Sequence, residues 1–264
     1  MANETLSVGH DKQSEEILYP PSRWVEPQIN VSEIEELIRS NRELEHFAFA
    51  VSHDLQEPLK VVCLYLQLLK RKYQERLDEK VEKDITSIID RTERMQNLIQ
   101  SMLDYARVGK GHAYFVRLDT SQVIHRAMDN LKASIDATSA QISCGNCPVV
   151  MGDEIQLTQL FQNLISNAIK FHQKGESPRI HIDVEQKDDQ WVFSVRDNGI
   201  GVEQKDLQDI FKVFRRLHSH SEYAGNGIGL ALCQRIVESH GGNIWVESEV
   251  GQGTTVYFNI YKIS

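Results

Sequence analysis

The stretch FAVSHDLQEPLKVV, residues 49–62, decides the first half of the predicted fold. Apolar residues recur through it and beyond it at steps of three and four, which is typical of one face of an α-helix. These positions are Leu44, Ala48, Val51, Leu55, Leu59, Val62, Leu66 and Leu69. His53 lies about 200° around this helix from both Val51 and Leu55, so burial of the apolar face turns the imidazole toward solvent.

The residues next to His53 suit a nucleophilic imidazole. Histidine has a usual pKa of about 6.5, so Asp54 can hold one ring nitrogen as N–H and leave the other nucleophilic. Pro58 cannot donate to the Asp54 carbonyl, which predicts a bend beside the histidine. A His-Asp pair is also typical of a solvated polar helix face, and the second half of the chain decides between these interpretations.

Length and charge limit the classes of protein to consider. The 264 residues, 41% hydrophobic and 25% charged, are enough for about two domains that each bury a core. The net charge of −9 argues against broad binding of nucleic acid or anionic membranes. No apolar run reaches the roughly 18 residues of a membrane span, and the polar N-terminus lacks a signal-peptide pattern, so a cytoplasmic location is expected.

The four cysteines are scattered, which fits a reducing compartment better than a disulfide scaffold: they are Cys63, Cys144, Cys147 and Cys233. Cys144 and Cys147 form a C-x-x-C motif without a second pair. A turn before a strand is the favoured interpretation of this motif, and a zinc or redox site is the alternative.

The first half of the chain predicts a helical hairpin. Residues 1–31 are polar and contain prolines, which indicates a mostly disordered leader. A helix is expected from Ser32, a suitable N-cap, to beyond Leu69, with a turn in the charged segment 71–83. A second helical pattern follows at Val81, Ile85, Ile88, Thr92, Met95, Ile99, Met102 and Ala106. Two such helices cannot enclose a core alone, so two hairpins should pair as a homodimeric four-helix bundle over residues 32–108.

The second half predicts a different class of fold. Gly109 to Gly111 interrupt the helical pattern and mark a linker to a domain over residues 112–264. Helices are predicted at Leu118 to Ala137, Glu154 to Phe171 and Gly229 to His240, and strands at 180–184, 191–195, 243–248 and 255–260. This succession indicates an α+β two-layer sandwich with helices on one face of a mixed sheet.

Three polar residues share one face of the predicted helix that begins at Glu154. Asn163, Asn167 and Lys170 stand at i, i+4 and i+7 beside an apolar stripe. Carboxamide oxygens can bind Mg²⁺ without adding negative charge near a triphosphate, and a lysine can pair with phosphates. The face therefore indicates a nucleotide site, although an N-x-x-x-N pair alone is a weak signal.

Two glycine clusters follow this helix. Asp197, Gly199 and Gly201 come directly after a predicted strand, where a carboxylate can accept from adenine and glycines permit close approach of the backbone; a solvent turn is the alternative. The cluster 225–229, GNGIG, opens the last predicted helix, whose N–H groups favour phosphate. The chain contains neither a dinucleotide-binding G-x-G-x-x-G after a strand nor a Walker motif.

The polar stretch between the two clusters is a candidate lid over phosphates. Its basic residues are Arg215, Arg216, His218 and His220. For each of them taken singly, a solvated loop explains the polarity equally well.

Taken in order, six motifs resemble those of the sensor histidine kinases over about residues 40–261: the stretch around His53, then N-x-x-x-N-A-x-K-F, D-N-G-I-G, F-K-V-F-R-R-L-H, G-N-G-I-G-L and G-x-G-T-T. S-H-D-L-Q-E-P-L and R-L-H-S-H-S-E-Y are most similar to phytochrome-associated and related cyanobacterial-type members. The resemblance implies a dimerisation and phosphotransfer hairpin, a GHKL-type ATP-binding domain, and autophosphorylation with ATP and Mg²⁺. It also implies phosphoryl transfer to an aspartate in the receiver domain of a response regulator.

The resemblance assigns a role to each matching residue. His53 is the phosphoacceptor and Asp54 the base that activates it. Around the nucleotide, Asn167 binds Mg²⁺ with support from Asn163, and Lys170 and Arg215 contact phosphates. At the other end, Phe171 flanks adenine, Asp197 accepts from the adenine amino group beside Gly199 and Gly201, and Thr254 lies near the adenine. The triphosphate is bordered by Gly225, Gly227 and Gly229. Phe211 and Phe214 anchor the lid.

Two departures from the family pattern bear on function. Glu57 stands where many relatives have Thr or Asn, which argues against phosphatase activity toward a regulator. The leader of about 31 residues replaces the usual input domain, so we expect either a truncated kinase or an orphan kinase that receives its signal from a separate sensor protein.

Two other functions are alternatives to the kinase. One is a dimeric adaptor with a vestigial nucleotide domain, and the other is an ATPase chaperone or topoisomerase fragment. The second is disfavoured because related ATPases carry a glutamate at the position of Asn163, and an amide cannot activate water.

Overall fold

The computed structural model describes residues 54–73, 78–109, 114–217, 223 and 225–262. The predicted leader, the helix start at Ser32, and His53, His218 and His220 lie outside these ranges, so the predictions about them stay predictions. Within the described ranges, no helix combines the length and apolar character needed to cross a membrane.

The predicted helical hairpin is confirmed where it is described. Residues 54–73 are helical throughout (α1), including Pro58, and α2 spans Glu79–Arg107. The Asp78 carboxylate caps α2 by accepting from the Val81 N–H, with Glu79 in the positive first turn. The bend predicted at Pro58 stays a prediction.

The two hairpin helices touch along their length but bury little between them. Gln56 donates to Gln100, and Lys70 donates to Thr86, with donor–acceptor distances of 3.1 and 2.9 Å. Six of the apolar residues at the predicted contact positions stay between 45% and 48% exposed in the single chain: Leu55, Val62, Leu69, Ile88, Met95 and Met102. A continuous apolar face therefore remains on the hairpin.

The second half is an α+β two-layer sandwich, as predicted. Seven strands are β1 Val116–Asp119, β2 Gln141–Cys144, β3 Val149–Gly152, β4 Arg179–Lys187, β5 Gln190–Asp197, β6 Ile244–Glu249 and β7 Gly253–Tyr261. Strands β1 and β3 form a small antiparallel pair. The others form a mixed sheet in the order β2-β4-β5-β7-β6, in which only β2 and β4 are parallel.

The helices of this domain cover one face of the large sheet. They are α3 Thr120–Asn130, α4 Lys132–Thr138, α5 Glu154–Lys170 and α6 Gly229–Ser239. One apolar core joins α3, α5 and α6 to alternate residues of β4, β5 and β7. At its centre the Phe193 and Phe258 rings stack with centroids 4.8 Å apart, and Phe161 of α5 packs edge-on against both. The sheet therefore holds α5 rigidly.

The predicted helix from Leu118 to Ala137 is wrong at its start and too long. Leu118 lies in β1, opposite Val150, and the chain turns into α3 only at Asp119, whose carboxylate accepts from the Ser121 N–H. A break at Leu131 then separates α3 from α4. The short strands β1 and β2 have no counterpart among the predicted elements, whereas β3 is the strand expected directly after the C-x-x-C motif.

Candidate nucleotide-binding site

Helix α5 brings its three predicted polar residues to one cavity. Asp153 caps the helix by accepting from the Ile155 and Gln156 N–H groups, each at 3.0 Å. The apolar stripe of α5 is buried in the core. The neighbouring side chains of Asn163, Asn167 and Lys170 therefore lie at the edge of the core. All three line a cavity of about 630 Å³.

Asn163 presents an unsatisfied polar group to this cavity. Its Nδ2 is buried, and no described residue offers it a hydrogen-bond partner. Its Oδ1 would lie 3.4 Å from a Cβ placed on Gly229, so the glycine leaves the amide accessible at the start of α6. Because a buried amide without a partner is costly, this geometry fits a ligand that accepts the hydrogen bond.

The carboxamide pair also fits Mg²⁺. Asn163 and Asn167 supply neutral oxygens, which Mg²⁺ binds together with phosphate oxygens and water. No group of three or more acidic, histidine or cysteine side chains among the described residues could hold a metal. A cation held by two amide oxygens needs further ligands, which phosphate oxygens and water can supply.

Lys170 is a partly buried cation at the end of α5. Its Nζ lies 4.0 Å from the centroid of the Phe171 ring, and a Cβ on Gly225 would come within 2.9 Å of it. Burial, with a smaller contribution from the Arg216 cation, lowers the pKa of Lys170 to about 8. A phosphate would restore the charged form.

Asp197 lies at the end of β5, and one of its carboxylate oxygens is bonded to the backbone around the site. Its Oδ1 accepts from the Gly199 and Thr254 N–H groups at 2.8 and 3.0 Å. Burial raises the pKa of Asp197, and these two bonds oppose that shift. Oδ2 has no partner among the described residues and can accept from a ligand.

Gly199 is required where the chain passes α5. The Ile200 N–H donates to the Phe171 carbonyl at 2.9 Å, and a Cβ on Gly199 would lie only 2.6 Å from that oxygen. This contact fixes Phe171 next to Asp197, and Gly201 and Thr254 line the cavity beside them.

The predicted phosphate loop leads into α6. Gly225, Gly227 and Gly229 all line the cavity, and α6 begins at Gly229 with no side-chain cap on its first N–H groups. Gly227 has φ +72°, and a Cβ there would lie 2.8 Å from the Arg215 carbonyl. Only glycine fits this position without strain.

The basic residues before this loop differ in position. Arg215 lines the cavity but pairs with the carboxylates of Asp206 and Asp209, each at 3.4 Å. Arg216, which also lines the cavity, donates to the Tyr223 carbonyl at 2.9 Å. Thus Arg216, which the family resemblance left without a role, is the closer electrostatic neighbour of Lys170.

The two predicted lid anchors are only partly as expected. Phe211 is half-buried, whereas Phe214 is 55% exposed with φ +63°. Phe214 is held instead by its main chain, whose N–H donates to the Gly227 carbonyl at 2.9 Å. An aromatic contact not predicted from the sequence lies between Phe171 and Tyr223, whose ring centroids are 5.1 Å apart.

Helix α2 closes one side of the cavity, which the sequence did not predict. Asn226 donates to the Ser101 hydroxyl at 2.6 Å and to the Asn97 carbonyl at 3.4 Å. Farther along α2, the Arg235 guanidinium lies over the Tyr105 ring at 4.8 Å and donates to the Val108 carbonyl at 3.1 Å. No spacing in the sequence connects α2 with α6.

The described start of α1 lies next to the cavity but does not line it. Asp54 is exposed at the described start of α1 and is not among the residues that line the cavity. Gln56, two residues farther along, contacts Gln100, which does line it. The cavity therefore borders the first described turn of α1 through one pair of side chains.

Comparison with known families defines the class of the two halves. Residues 43–111 match the His Kinase A phospho-acceptor domain (HisKA). Residues 152–262 match the histidine kinase-, DNA gyrase B-, and HSP90-like ATPase domain (HATPase_c). The fold and the cavity are those of a GHKL-type ATP-binding domain behind a phosphoacceptor hairpin.

The chain belongs to the histidine kinase family, within which it is homologous to phytochrome-like kinases of cyanobacteria. It is 46% identical over 224 residues to the phytochrome-like protein Cph1 of a Synechocystis strain. That alignment covers 85% of this chain and 30% of the relative, so the chain spans about a third of the relative's length.

Two solved structures share the fold. Full-length ShkA in complex with AMPPNP superimposes with a TM-score of 0.66 at 23% identity, over 83% of this chain and 46% of ShkA. The structure of the histidine kinase ThkA in complex with the response regulator protein TrrA superimposes with a TM-score of 0.57 at 20% identity, over 89% of this chain and 68% of the matched chain.

Proposed function

We propose that this chain is an ATP-dependent protein-histidine kinase that phosphorylates His53 and passes the phosphoryl group to an aspartate of a response regulator. The observation that carries the proposal is the cavity in which Asn163, Asn167, Lys170, Asp197 and the loop 225–229 converge beside the hairpin. We place the phosphotransfer domain at residues 32–108 and the ATP-binding domain at 112–264.

Adenine recognition falls to Asp197 and Phe171. The Asp197 Oδ2 atom accepts from the exocyclic amino group of adenine, while Oδ1 stays bonded to the Gly199 and Thr254 N–H groups. The same position on guanine carries a carbonyl, which a carboxylate repels. Phe171 flanks the base, and Gly201 lies beside them in the lining of the cavity.

Phosphate recognition falls to the far end of the cavity. Asn167, supported by Asn163, would hold Mg²⁺, which would offset negative charge on the phosphates. Lys170, the N–H groups of the loop 225–229 and the first turn of α6 receive the remaining oxygens. Arg215 reaches phosphate only after it leaves Asp206 and Asp209.

The transfer step forms one bond and breaks one bond. An imidazole nitrogen of His53 attacks the γ-phosphorus, a P–N bond forms, and the bond to the ADP oxygen breaks. Asp54 holds the proton on the other ring nitrogen and stabilises the charge that develops on the ring. For the γ-phosphorus to come into line with His53, the ATP-binding domain would rotate about the linker predicted from the sequence at residues 109–111, of which residues 110 and 111 lie outside the described ranges.

Partners follow from the hairpin. The HisKA domain implies dimerisation, and the exposed apolar face of α1 and α2 is the surface we assign to a second copy. The receiver domain of a response regulator is the proposed phosphoryl acceptor, as a partner of the kind that ThkA binds in its complex with TrrA. Glu57 argues against phosphatase activity, and a separate sensor protein and a cytoplasmic location stay predictions.

Radiolabelling tests the proposal. The protein should incorporate ³²P from γ-labelled ATP in an acid-labile, alkali-stable form, and His53→Gln should abolish the label. His46→Gln, a change at another histidine in the same predicted helix, is the matched control and should retain it. Label that persists in the His53→Gln protein would show that another residue is the acceptor.

A further inference from the structure

The corner between β2 and β3 carries two cysteines that the nucleotide site does not use. Strand β2 ends at Cys144, and residues 145–148 lead to β3. The Cys144 residue is exposed, and Cys147 is half-buried against the core. Their sulfur atoms are 2.7 Å apart, and neither cysteine lines the nucleotide cavity.

This separation is close to bonding distance. A disulfide bond is about 2.05 Å long, so the two sulfurs need to approach by only about 0.7 Å to form one. The C-x-x-C spacing makes the contact local, because only two residues separate the cysteines. The backbone therefore already presents the two side chains to each other.

Both ends of the loop are anchored, which holds the sulfurs together. The Gly145 N–H donates to the Ile182 carbonyl of β4 at 2.9 Å. At the other end the Pro148 carbonyl accepts from the N–H and the hydroxyl of Thr120, at 3.2 and 2.7 Å. These attachments fix the backbone on both sides of the pair, so the two side chains start from positions that allow the sulfurs to meet.

Among the described residues, nothing completes a metal site at this corner, since no group of three or more potential ligands occurs there. The other two cysteines lie elsewhere. Cys233 is fully buried in α6 beside the Leu160 carbonyl, and Cys63 is buried in the hairpin beside Glu93. The paired sulfurs at the corner thus differ from both.

We propose that Cys144 and Cys147 form a reversible thiol–disulfide site, oxidised by hydrogen peroxide and reduced by a dithiol. This site is independent of the proposed kinase activity. Its formation would link the end of β2, at the edge of the large sheet, to the loop that enters β3.

The two sulfurs take different parts in the oxidation. Partial desolvation of its sulfur, the contact with Cys147 and the nearby Asp183 carboxylate raise the pKa of Cys144 to about 12. One sulfur, here that of Cys147, attacks peroxide as the thiolate, and the other attacks the oxidised sulfur; the chemistry is the same with the two cysteines exchanged.

Oxidation proceeds in two steps, one at each cysteine. The Cys147 thiolate takes one oxygen from peroxide and releases hydroxide, forming a sulfenic acid. The Cys144 sulfur then attacks the Cys147 sulfur, the S–S bond forms, the S–O bond breaks, and water leaves with the thiol proton. Overall two thiols lose two electrons and two protons, and one peroxide becomes two waters.

Mass spectrometry of the folded full-length chain tests the proposal. Treatment of the folded chain with hydrogen peroxide should lower its mass by about 2 units, and alkylation after subsequent unfolding should modify two thiols instead of four. Tandem spectra should show Cys144 and Cys147 linked and unalkylated, and dithiothreitol should restore both thiols.

Variants locate the bond. Cys63→Ser should keep the peroxide-induced mass loss, and Cys144→Ser and Cys147→Ser should each lose it. Unchanged thiol titration in the wild-type chain, a gain of about 32 mass units at Cys147 as sulfinic acid, or a disulfide between two chains would each overturn the proposal.

Discussion

Lys170 combines two demands that conflict in the free protein. It must be charged to hold phosphate, yet burial and, to a smaller extent, the Arg216 cation disfavour the charge and lower its pKa to about 8. Nucleotide binding relieves the conflict by adding negative charge. The affinity for ATP should therefore depend on pH through this residue.

We predict that the affinity for Mg-ATP falls as pH rises from 7 to 9. Above its pKa the free protein loses the Lys170 charge, and one charge-assisted hydrogen bond contributes about 1.5–3 kcal/mol, so the loss should approach about tenfold. Calorimetric titration at several pH values measures it. Lys170→Met should bind weakly with little pH dependence, and Lys174→Met, on the exposed turn nearby, should behave as wild type.

His240 is a second buried titratable residue. It directly follows α6 and contacts Asp153 at the start of α5. Its Nε2 accepts from the Asp153 N–H at 3.1 Å, and its Nδ1–H donates to the Ile236 carbonyl at 2.8 Å. Protonation would place an N–H against the Asp153 N–H. Desolvation lowers the pKa of His240, with the Ile236 carbonyl and the Asp153 charge opposing the shift.

Acid should therefore destabilise the ATP-binding domain. Between the lowered folded pKa and the unfolded value of about 6.5, the unfolded chain binds more protons, so the free energy of unfolding falls as pH drops below about 7. The slope from this residue is at most about 1.4 kcal/mol per pH unit. Urea unfolding at pH 7.5 and 5.5 measures it: His240→Gln should reduce the difference, and His125→Gln, an exposed change on α3, should not.

The residues of the site were predictable from the sequence where chemistry and spacing coincide. Asn163, Asn167 and Lys170 share a helix face in any chain with that spacing, and the structure places them in one cavity. The pairing of Arg215 with Asp206 and Asp209, and the exposure of Phe214, depend on how an irregular segment folds. No periodic pattern fixes such a segment.

At the scale of elements, the loop 225–229 and α6 act as one unit. The loop is fixed by the bond from the Phe214 N–H to the Gly227 carbonyl, and the φ of +72° at Gly227 aims the chain into the helix. The free N–H groups of the first turn of α6 then face the cavity. Phosphate binding thus depends on backbone shape at one glycine.

Gly227→Ala should therefore weaken Mg-ATP binding by at least about tenfold. Positive φ strains alanine by about 1–3 kcal/mol, and its Cβ would press on the Arg215 carbonyl. Gly175→Ala is the control, because Gly175 also has positive φ (+90°) but no atom lies within 4 Å of its Cβ. Both variants should lose some thermal stability, but only Gly227→Ala should lose nucleotide affinity; equal affinities would count against the role of the loop.

Elements were predictable in proportion to their length and periodicity. Helix α5 and strands β4 and β5 have long regular patterns, and they were predicted within a few residues. Strands β1, β2 and β3 have four residues each, too few for a pattern, and β1 exists because Leu118 pairs with Val150, 32 residues later. Such pairing is a tertiary effect that overrides local helix-forming tendency.

At the scale of the whole molecule, the hairpin is incomplete as one chain. Its apolar face, Leu55, Val62, Leu69, Ile88, Met95 and Met102, is almost half exposed at every position. Pairing of two such faces would bury them in a four-helix bundle. The burial would stabilise the dimer by roughly 25 cal/mol for each Å² of apolar surface removed from water.

Ile88→Glu should convert the dimer to a monomer, because the bundle would bury an unpaired carboxylate. Light scattering after size-exclusion chromatography should give twice the chain mass of 30.3 kDa for the wild type and the single mass for the variant. Ser87→Glu adds the same charge at the preceding, exposed position and should remain dimeric. A wild-type protein that is monomeric at micromolar concentration would contradict the assigned surface.

The contacts of Asn226 with Ser101 and of Arg235 with Tyr105 join the ATP-binding domain to α2, so the cavity and the hairpin form parts of one apparatus. We infer that together they deliver phosphate from ATP to His53. Tandem mass spectrometry of the full chain after incubation with Mg-ATP, with fragmentation that preserves phosphohistidine, locates the phosphate. We expect phosphate on His53 in the wild type and none in Asn167→Ala; phosphate on another residue, or none in a wild-type protein that binds Mg-ATP, would refute this inference.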